Sequence, residues 1–302
     1  VNTNRATPHE NHIYAAYTDI AVPVPYPVKF SRSTNGGLNF SAPVSISGTI
    51  GARNQIGVNL AVSPDSGLYA TWAGGDAVER TFFHLGFNSS SNGGISWDPP
   101  KELSTIDKIA LIGGLNKGGE TITFANYPVM SVDRSSGARR GWIYIVYAET
   151  TSTRPDIFLI RSTDAGSSWS SAQKVNQDTS GKDQWQPWVT VDQVTGDLYV
   201  VYYDSRNFPN NDSAQVYISS STDGGLTFQD ILVSDVPFLP KPIRVSPGGD
   251  LPFYMGSYIG ISARQGIVWP CWMDNRTGLL QVYTSKVVYD SITVPPKISV
   301  WP

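Results

Sequence analysis

The sequence predicts an all-β protein, a β-propeller built from repeated four-stranded antiparallel blades. Three observations carry that expectation. A corner motif recurs four times at one place in a repeating series of strands. Nine Trp and fifteen Tyr among 302 residues, with only 16 % charged, suit a β-rich chain with a well-buried interior. Helical periodicity is nearly absent, and no stretch supports an amphipathic helix.

The corner is clearest at Ser221-Thr222-Asp223-Gly224-Gly225-Leu226-Thr227-Phe228. Ser162 to Trp169, Ser90 to Trp97 and Ser33 to Phe40 repeat it, with Asp164, Asn92 and Asn35 in the acidic position. A hydroxyl residue leads, Asp or Asn stands two later, Gly four later and an aromatic seven later. Asp and Asn fold back onto nearby backbone N–H groups and nucleate a turn, and Gly accepts the positive φ such a turn needs. Each copy therefore reads as a hairpin corner whose aromatic tucks under the neighbouring sheet. Four copies at steps of 57, 72 and 59 residues indicate a repeat architecture.

In chain order, residues 12–19 and 26–32 read as strands before the first corner, and 42–47 as the strand leaving it. The second unit has strands at 57–62, 68–73 and 81–88; the third at 127–132, 142–148 and 156–161; the fourth at 187–191, 197–203 and 214–220. The fifth has strands at 258–262, 267–273 and 279–285 and no corner. The unit is strand, turn, strand, loop, strand, corner, strand, which is what a propeller blade requires. Two stacked sandwiches fit less well, because the corner keeps one fixed place. Five blades are recognisable, the first incomplete at its N-terminus, and the total is five or six. The first blade's missing inner strand lies before Val1 or comes from the tail around 297–300. Residues 1–290 form the propeller, and 291–302 a tail, a closing strand or a linker to a further region. Residues 104–125, with Gly113-Gly114 and Gly118-Gly119, read as an irregular insertion.

The net charge of −3 argues against nucleic acid, which demands a basic field. No apolar run approaches a membrane span. The one cysteine, Cys271, lies in an apolar run and reads as a small buried hydrophobe. The Ser/Thr/Asn-rich composition points to an extracellular or cell-surface protein. Asn-x-Ser/Thr triplets occur at Asn39, Asn88, Asn211 and Asn275, at a frequency that chance also gives. The start at Val1 reads as a processed piece of a larger precursor, with self-assembly a further expectation.

The corners resemble the Asp-box, Ser-x-Asp-x-Gly-x-Thr-Trp, of the bacterial neuraminidase repeat family. Asp164 with Trp169 and Asp223 with Phe228 are the better copies; Asn35 and Asn92 are tolerated variants. The resemblance covers nearly the whole chain. It implies a sialidase-like propeller in which the boxes are structural and lie away from the active site. Sialidases also carry a Phe-Arg-Ile-Pro motif, an arginine clamp for the substrate carboxylate, an acidic acid/base and a Tyr–Glu pair. Here Ile56 stands where the first arginine belongs, and Trp185-Gln186-Pro187 keeps the proline without the arginine. Arg53 is near but at the wrong spacing. The resemblance therefore does not extend to the sialidase arginines.

Topology places the ligand face at the starts of first strands and the ends of second strands, around the channel mouth. Asp204, Asp274 and Glu149 are the candidate catalytic carboxylates there. Arg206, Arg276, Arg53, Gln55, Trp72, Tyr127, Trp185, Tyr203 and Trp272 are the candidate substrate-binding residues. Rings stack on sugar faces, while amides and acids bond hydroxyls, so a glycan or polysaccharide is the expected partner. For any single residue the alternative is structural: the aromatic fills space between blades, and the Asp–Arg pairs of 204–206 and 274–276 hold their own loops. Two functions follow: a carbohydrate-interacting propeller that is not a standard sialidase, with glycoside hydrolysis by a sialidase-like site as its alternative, or an adhesive or surface-assembly module. His9, His12 and His84 lack metal-ligand spacing, and no cofactor is expected. A calcium site at 207–212 competes with an ordinary turn, which its Asn, Asp and Pro favour.

Overall fold

The structure, a computed structural model, describes residues 9–48, 54–75, 81–110, 115–124, 127–151, 154–241, 254–256, 258–289 and 297–301. Among these residues every regular element is a strand. The first sheet joins β1 (Ile13–Thr18), β2 (Val28–Ser33) and β3 (Val44–Ser45). The second runs through β4 (Asn54–Val62), β5 (Leu68–Gly75), β6 (Thr81–Ser90) and β7 (Lys101–Ala110). A short sheet sets β8 (Leu115–Lys117) beside β9 (Glu120–Phe124), with β18 (Tyr254–Gly256) parallel to β9. The third main sheet is β10 (Val129–Val132), β11 (Ile143–Thr151), β12 (Arg154–Ser162) and β13 (Gln173–Lys174). The fourth is β14 (Gln184–Val191), β15 (Leu198–Asp204), β16 (Gln215–Ser221) and β17 (Gln229–Leu232). The fifth is β19 (Gly260–Arg264), β20 (Ile267–Asp274), β21 (Gln281–Val288) and β22 (Lys297–Trp301).

In the second to fifth sheets sequential strands are antiparallel neighbours. Their first strands also neighbour one another, β4 beside β10, β10 beside β14 and β14 beside β19. The second strands β5 and β15 are buried on both faces along their whole length, whereas β20 is buried on one face only. Sheet packs on sheet through apolar clusters, Ile145 and Tyr147 meeting Leu85 and Phe87, for example. Each large ring removed from water there stabilises the fold by roughly 2–3 kcal/mol.

The corners form as their chemistry requires. Ser221 Oγ donates to Asp223 Oδ1 at 2.8 Å and accepts from Gly225 N at 2.8 Å, while Leu226 N and Thr227 N donate to Asp223 Oδ1. Ser162, Asp164, Gly166 and Ser168 repeat the network. Asn92 and Asn35 keep it with amide oxygens as acceptors. The glycine four residues after the leading serine holds positive φ in all four corners, and a neighbouring side chain crowds the place of its β-carbon. At Gly166 (φ 83°) that carbon would stand 2.5 Å from the Phe87 ring of the preceding sheet. The aromatics follow suit: Trp169 meets Phe87 edge-on at 5.1 Å and Trp97 meets Phe30 at 4.9 Å. Phe40 departs from this and is 47 % exposed.

Three expectations need correction. The stretch 104–125 is not irregular where it is described. β7 runs on to Ala110, and Gly118-Gly119, both at positive φ, turn β8 into β9, burying Ile122 and Phe124. The tail closes the fifth sheet, not the first: Lys297 to Trp301 pair with Val288 to Thr284 along the free edge of β21. Cys271 is exposed, because alternation in β20 turns Val268, Trp272 and Asp274 inward and leaves Trp269 and Cys271 outward.

Candidate functional site

The first strands of the second, third and fourth sheets align at one repeat position, and two of them are irregular there. Asn59, Val129 and Trp188 pair with Thr71, Val146 and Val201, each the fourth residue of its second strand. Two residues earlier stand Gly57, Tyr127 and Gln186, which therefore occupy one repeat position. In β4 and β14 the register shifts there, between Ile56 and Asn59 and between Trp185 and Trp188. Both shifts carry positive φ, 67° at Gly57 and 54° at Gln186. Glycine adopts that conformation freely, whereas glutamine pays in strain. The two bulges re-aim their neighbours, as bulges beside binding sites do.

These positions line one narrow pocket of about 50 Å³ together with Tyr258. The Tyr127 ring lies on Gly57, and the Tyr258 ring sits 6.4 Å from Tyr127 and 6.3 Å from Trp188. Tyr258 is 69 % exposed and Trp188 half-buried, so ring surface continues out of the pocket. Burial, aided by Tyr258, raises the Tyr127 phenol above its ordinary value, so it is an uncharged donor at neutral pH. Asn59 Oδ1 accepts from Met130 N at 3.1 Å, tying the second sheet to the third. Gln186 is 4 % exposed. Its Nε2 donates to Gly256 O at 3.4 Å, which leaves Oε1 buried without a partner among the described residues. A strained backbone and an unsatisfied buried acceptor thus meet in one side chain.

The predicted carboxylates lie elsewhere on the same end. Asp204 is fully buried at the end of β15. It accepts from Arg206 N at 2.6 Å, Arg206 Nε at 2.8 Å and Gln184 Nε2 at 3.2 Å. Arg206 also pairs with Asp230 at 2.8 Å and lies 4.1 Å over the Tyr217 ring. Burial pushes the Asp204 carboxyl up, against the pull of Arg206. Asp274 repeats the arrangement at the end of β20, accepting from Trp272 Nε1 at 2.9 Å and Arg276 Nη2 at 2.7 Å, with Arg276 also paired to Asp235. Each acid spends its oxygens on the loop that follows it, and neither lines the pocket. Glu149 is half-buried opposite Asp156 in the β11–β12 pair.

Among the predicted binding residues that are described, only Tyr127 lines the pocket. Trp72, Trp185, Tyr203 and Trp272 are at most 1 % exposed and present no ring to a ligand. The parity of the strand turns them between sheets: Trp185 stacks on Tyr203 at 5.5 Å, and Tyr203 Oη donates to Met273 O of the next sheet at 2.8 Å. Gln55 is buried and accepts from Trp72 Nε1. Arg206 and Arg276 are the loop braces above, and Arg53 lies outside the described residues. Gln186, Trp188, Asn59 and Tyr258 complete the pocket. Their signal in sequence is faint, an aromatic following the proline of a first strand.

Lys117 of the β8–β9 hairpin is fully buried on this side. Its Nζ donates to Asp183 Oδ2 at 2.9 Å, Ser205 Oγ at 2.8 Å and Asn211 O at 2.8 Å, and it stands 4.8 Å over the Trp185 ring. Burial pulls the ammonium pKa down while Asp183 holds it up. The loop 207–212 thus closes around a lysine, with Asn211 also bonded to Asp183 at 2.7 Å. Among the described residues no group of three His, Cys, Asp or Glu side chains is placed to hold a metal ion.

No family model matches the chain, and no curated protein matches it. Solved structures do. A protein of unknown function from Dyadobacter fermentans DSM 18053 aligns over 97 % of this chain and 80 % of its own, with 15 % identity and a TM-score of 0.56. The Penicillium chrysogenum α-L-arabinanase, solved with arabinobiose, aligns over 96 % and 88 % at 12 % identity, TM-score 0.57. The intramolecular trans-sialidase of Ruminococcus gnavus aligns over 96 % and 81 % at 12 % identity, TM-score 0.54. The last two are β-propellers, and at these identities the likeness shows a shared fold and nothing finer.

Proposed function

We propose that the five main sheets are propeller blades, that the four corners are Asp-boxes, and that the chain binds carbohydrate where its first strands converge. The observation that carries this reading is Gln186: a strained, buried amide whose free oxygen belongs to a pocket walled by Tyr127, Trp188 and Tyr258. Strain kept at one residue marks function more often than packing. Aromatic faces beside a fixed amide suit a sugar ring, whose C–H face stacks and whose hydroxyls bond. The arabinanase and trans-sialidase likenesses support a carbohydrate ligand, and a Ser/Thr/Asn-rich surface supports action outside the cell. Among the described residues no carboxylate lines the pocket, which favours binding without cleavage.

A glycan array with wild-type protein and Trp188→Ala tests this. Retention of a subset of glycans by the wild type, weakened about tenfold or more in the variant, is the expected result. Silence across the array sinks the reading. Glycoside hydrolysis is the second reading, favoured by Glu149, a half-buried carboxylate on the same end. Turnover of any glycoside by the wild type, lost in Glu149→Gln, would establish it.

A further inference from the structure

We infer that the pocket selects an uncharged sugar and rejects carboxylated ones; this rests on the carbohydrate reading above. Among the described residues the pocket's polar and aromatic side chains are Asn59, Tyr127, Gln186, Trp188 and Tyr258, and none of these is charged. A carboxylate bound there would need a cation within reach. Described cations on this end are engaged elsewhere, Lys182 with the Pro209 carbonyl at 2.6 Å. Lys117 and Arg154 pair with Asp183, and Lys174 pairs with Asp156. Arg206 pairs with Asp204 and Asp230, and Arg276 with Asp274 and Asp235. Freeing Arg206 or Arg276 would strand the buried Asp204 or Asp274.

The lining itself disfavours an anion in two further ways. Ring faces carry the negative end of the aromatic quadrupole, so Tyr127, Trp188 and Tyr258 attract C–H groups and repel carboxylate oxygens. The acceptor left over in the pocket is Gln186 Oε1. Its identity as oxygen follows from its twin, since the amide atom facing Gly256 O must be the N–H donor. An acceptor calls for a ligand O–H, which a sugar hydroxyl offers and an ionised carboxylate group does not. A carboxylate placed there would be desolvated without compensation. At about 50 Å³ the pocket admits the edge of one ring, and the exposed Tyr258 extends the platform to the next.

The test is calorimetric titration with matched pairs, lactose against sialyllactose, and neutral disaccharides from any array hits against their uronic-acid counterparts. Neutral members should bind about tenfold or more tightly than their partners. Their affinity should stay flat between about 0.05 and 0.5 M NaCl, because no ion pair forms. Gln186→Glu, which adds an anion while keeping the shape, should weaken neutral binding, and Gln186→Leu should weaken it by removing the acceptor, both with unchanged near-UV spectra. Preference for the carboxylated member, or affinity that falls steeply with salt, overturns the charge selection and leaves the carbohydrate reading standing. Absence of binding by every sugar overturns both.

Discussion

The Tyr127 ring lies flat against the backbone of Gly57: a β-carbon at position 57 would stand 2.1 Å from Tyr127 Cδ1. Gly57 and Tyr127 hold the same repeat position in adjacent sheets, so the ring of one fills the space the other lacks. That contact sets the pocket's wall. Gly57→Ala should displace the ring and, at φ 67°, add backbone strain, together costing about 1–3 kcal/mol. Urea midpoints for Gly57→Ala, Tyr127→Ala and the double variant check this. The two substitutions should be strongly non-additive, and simple additivity would refute the contact.

Gln186 should show opposed effects on stability and binding. Replacing it with glycine relieves the strain at φ 54° and removes the buried unsatisfied oxygen, so Gln186→Gly should melt higher, by about 1 kcal/mol. The same change removes the pocket's acceptor, so sugar affinity should fall. A variant that loses both stability and binding would show that Gln186 serves packing alone.

Asp204 and Asp274 should prove to be loop braces. Asp204→Asn and Asp274→Asn each leave an arginine with one of its two charge partners, costing about 2–3 kcal/mol. Melting temperature should fall in both while sugar affinity at the pocket stays near wild type. A selective loss of hydrolysis at unchanged melting temperature would return these acids to a catalytic role.

The corners should make the protein sensitive to acid. Hydrogen bonds from the Ser168 hydroxyl and amide hold the exposed Asp164 carboxyl down to about 2. At Asp223 burial pushes upward, but Thr227, Ser221 and Leu226 outweigh it and hold the group down to about 2 as well. A carboxyl lowered in the folded state contributes stability above its unfolded pKa near 3.9, and that contribution disappears as pH falls through the folded value. Stability should therefore drop between about pH 4 and pH 2. Asp223→Asn should lower neutral-pH stability and flatten that acid slope; an unaltered slope would contradict the assignment.

The corners were legible because their chemistry is local. A serine, an acid two residues on and glycines after it satisfy each other within eight residues, so the motif announces the turn, the repeat and the strand count. Alternating strands were legible for the same reason. The insertion was misread because β8 and β9 are short and earn burial only against Trp185 and the fourth sheet. Cys271 was misread because an apolar run does not say which parity faces inward, and one residue of register moves a side chain from core to solvent.

The site marks the boundary. Strand-end aromatics and acids told which end of the sheets could carry function, and Tyr127 was among them. Whether Trp185 or Trp188 meets a ligand depends on a bulge at Gln186, whose positive φ no residue type at that position encodes. Whether Asp204 is free or braced depends on Arg206 reaching back to it and on Asp230 reaching Arg206 from β17. Local hydrogen bonding writes turns and periodicity into neighbouring residues. The pocket joins the first-strand segments of three sheets with Tyr258, which precedes β19, and its composition exists only once those sheets have packed.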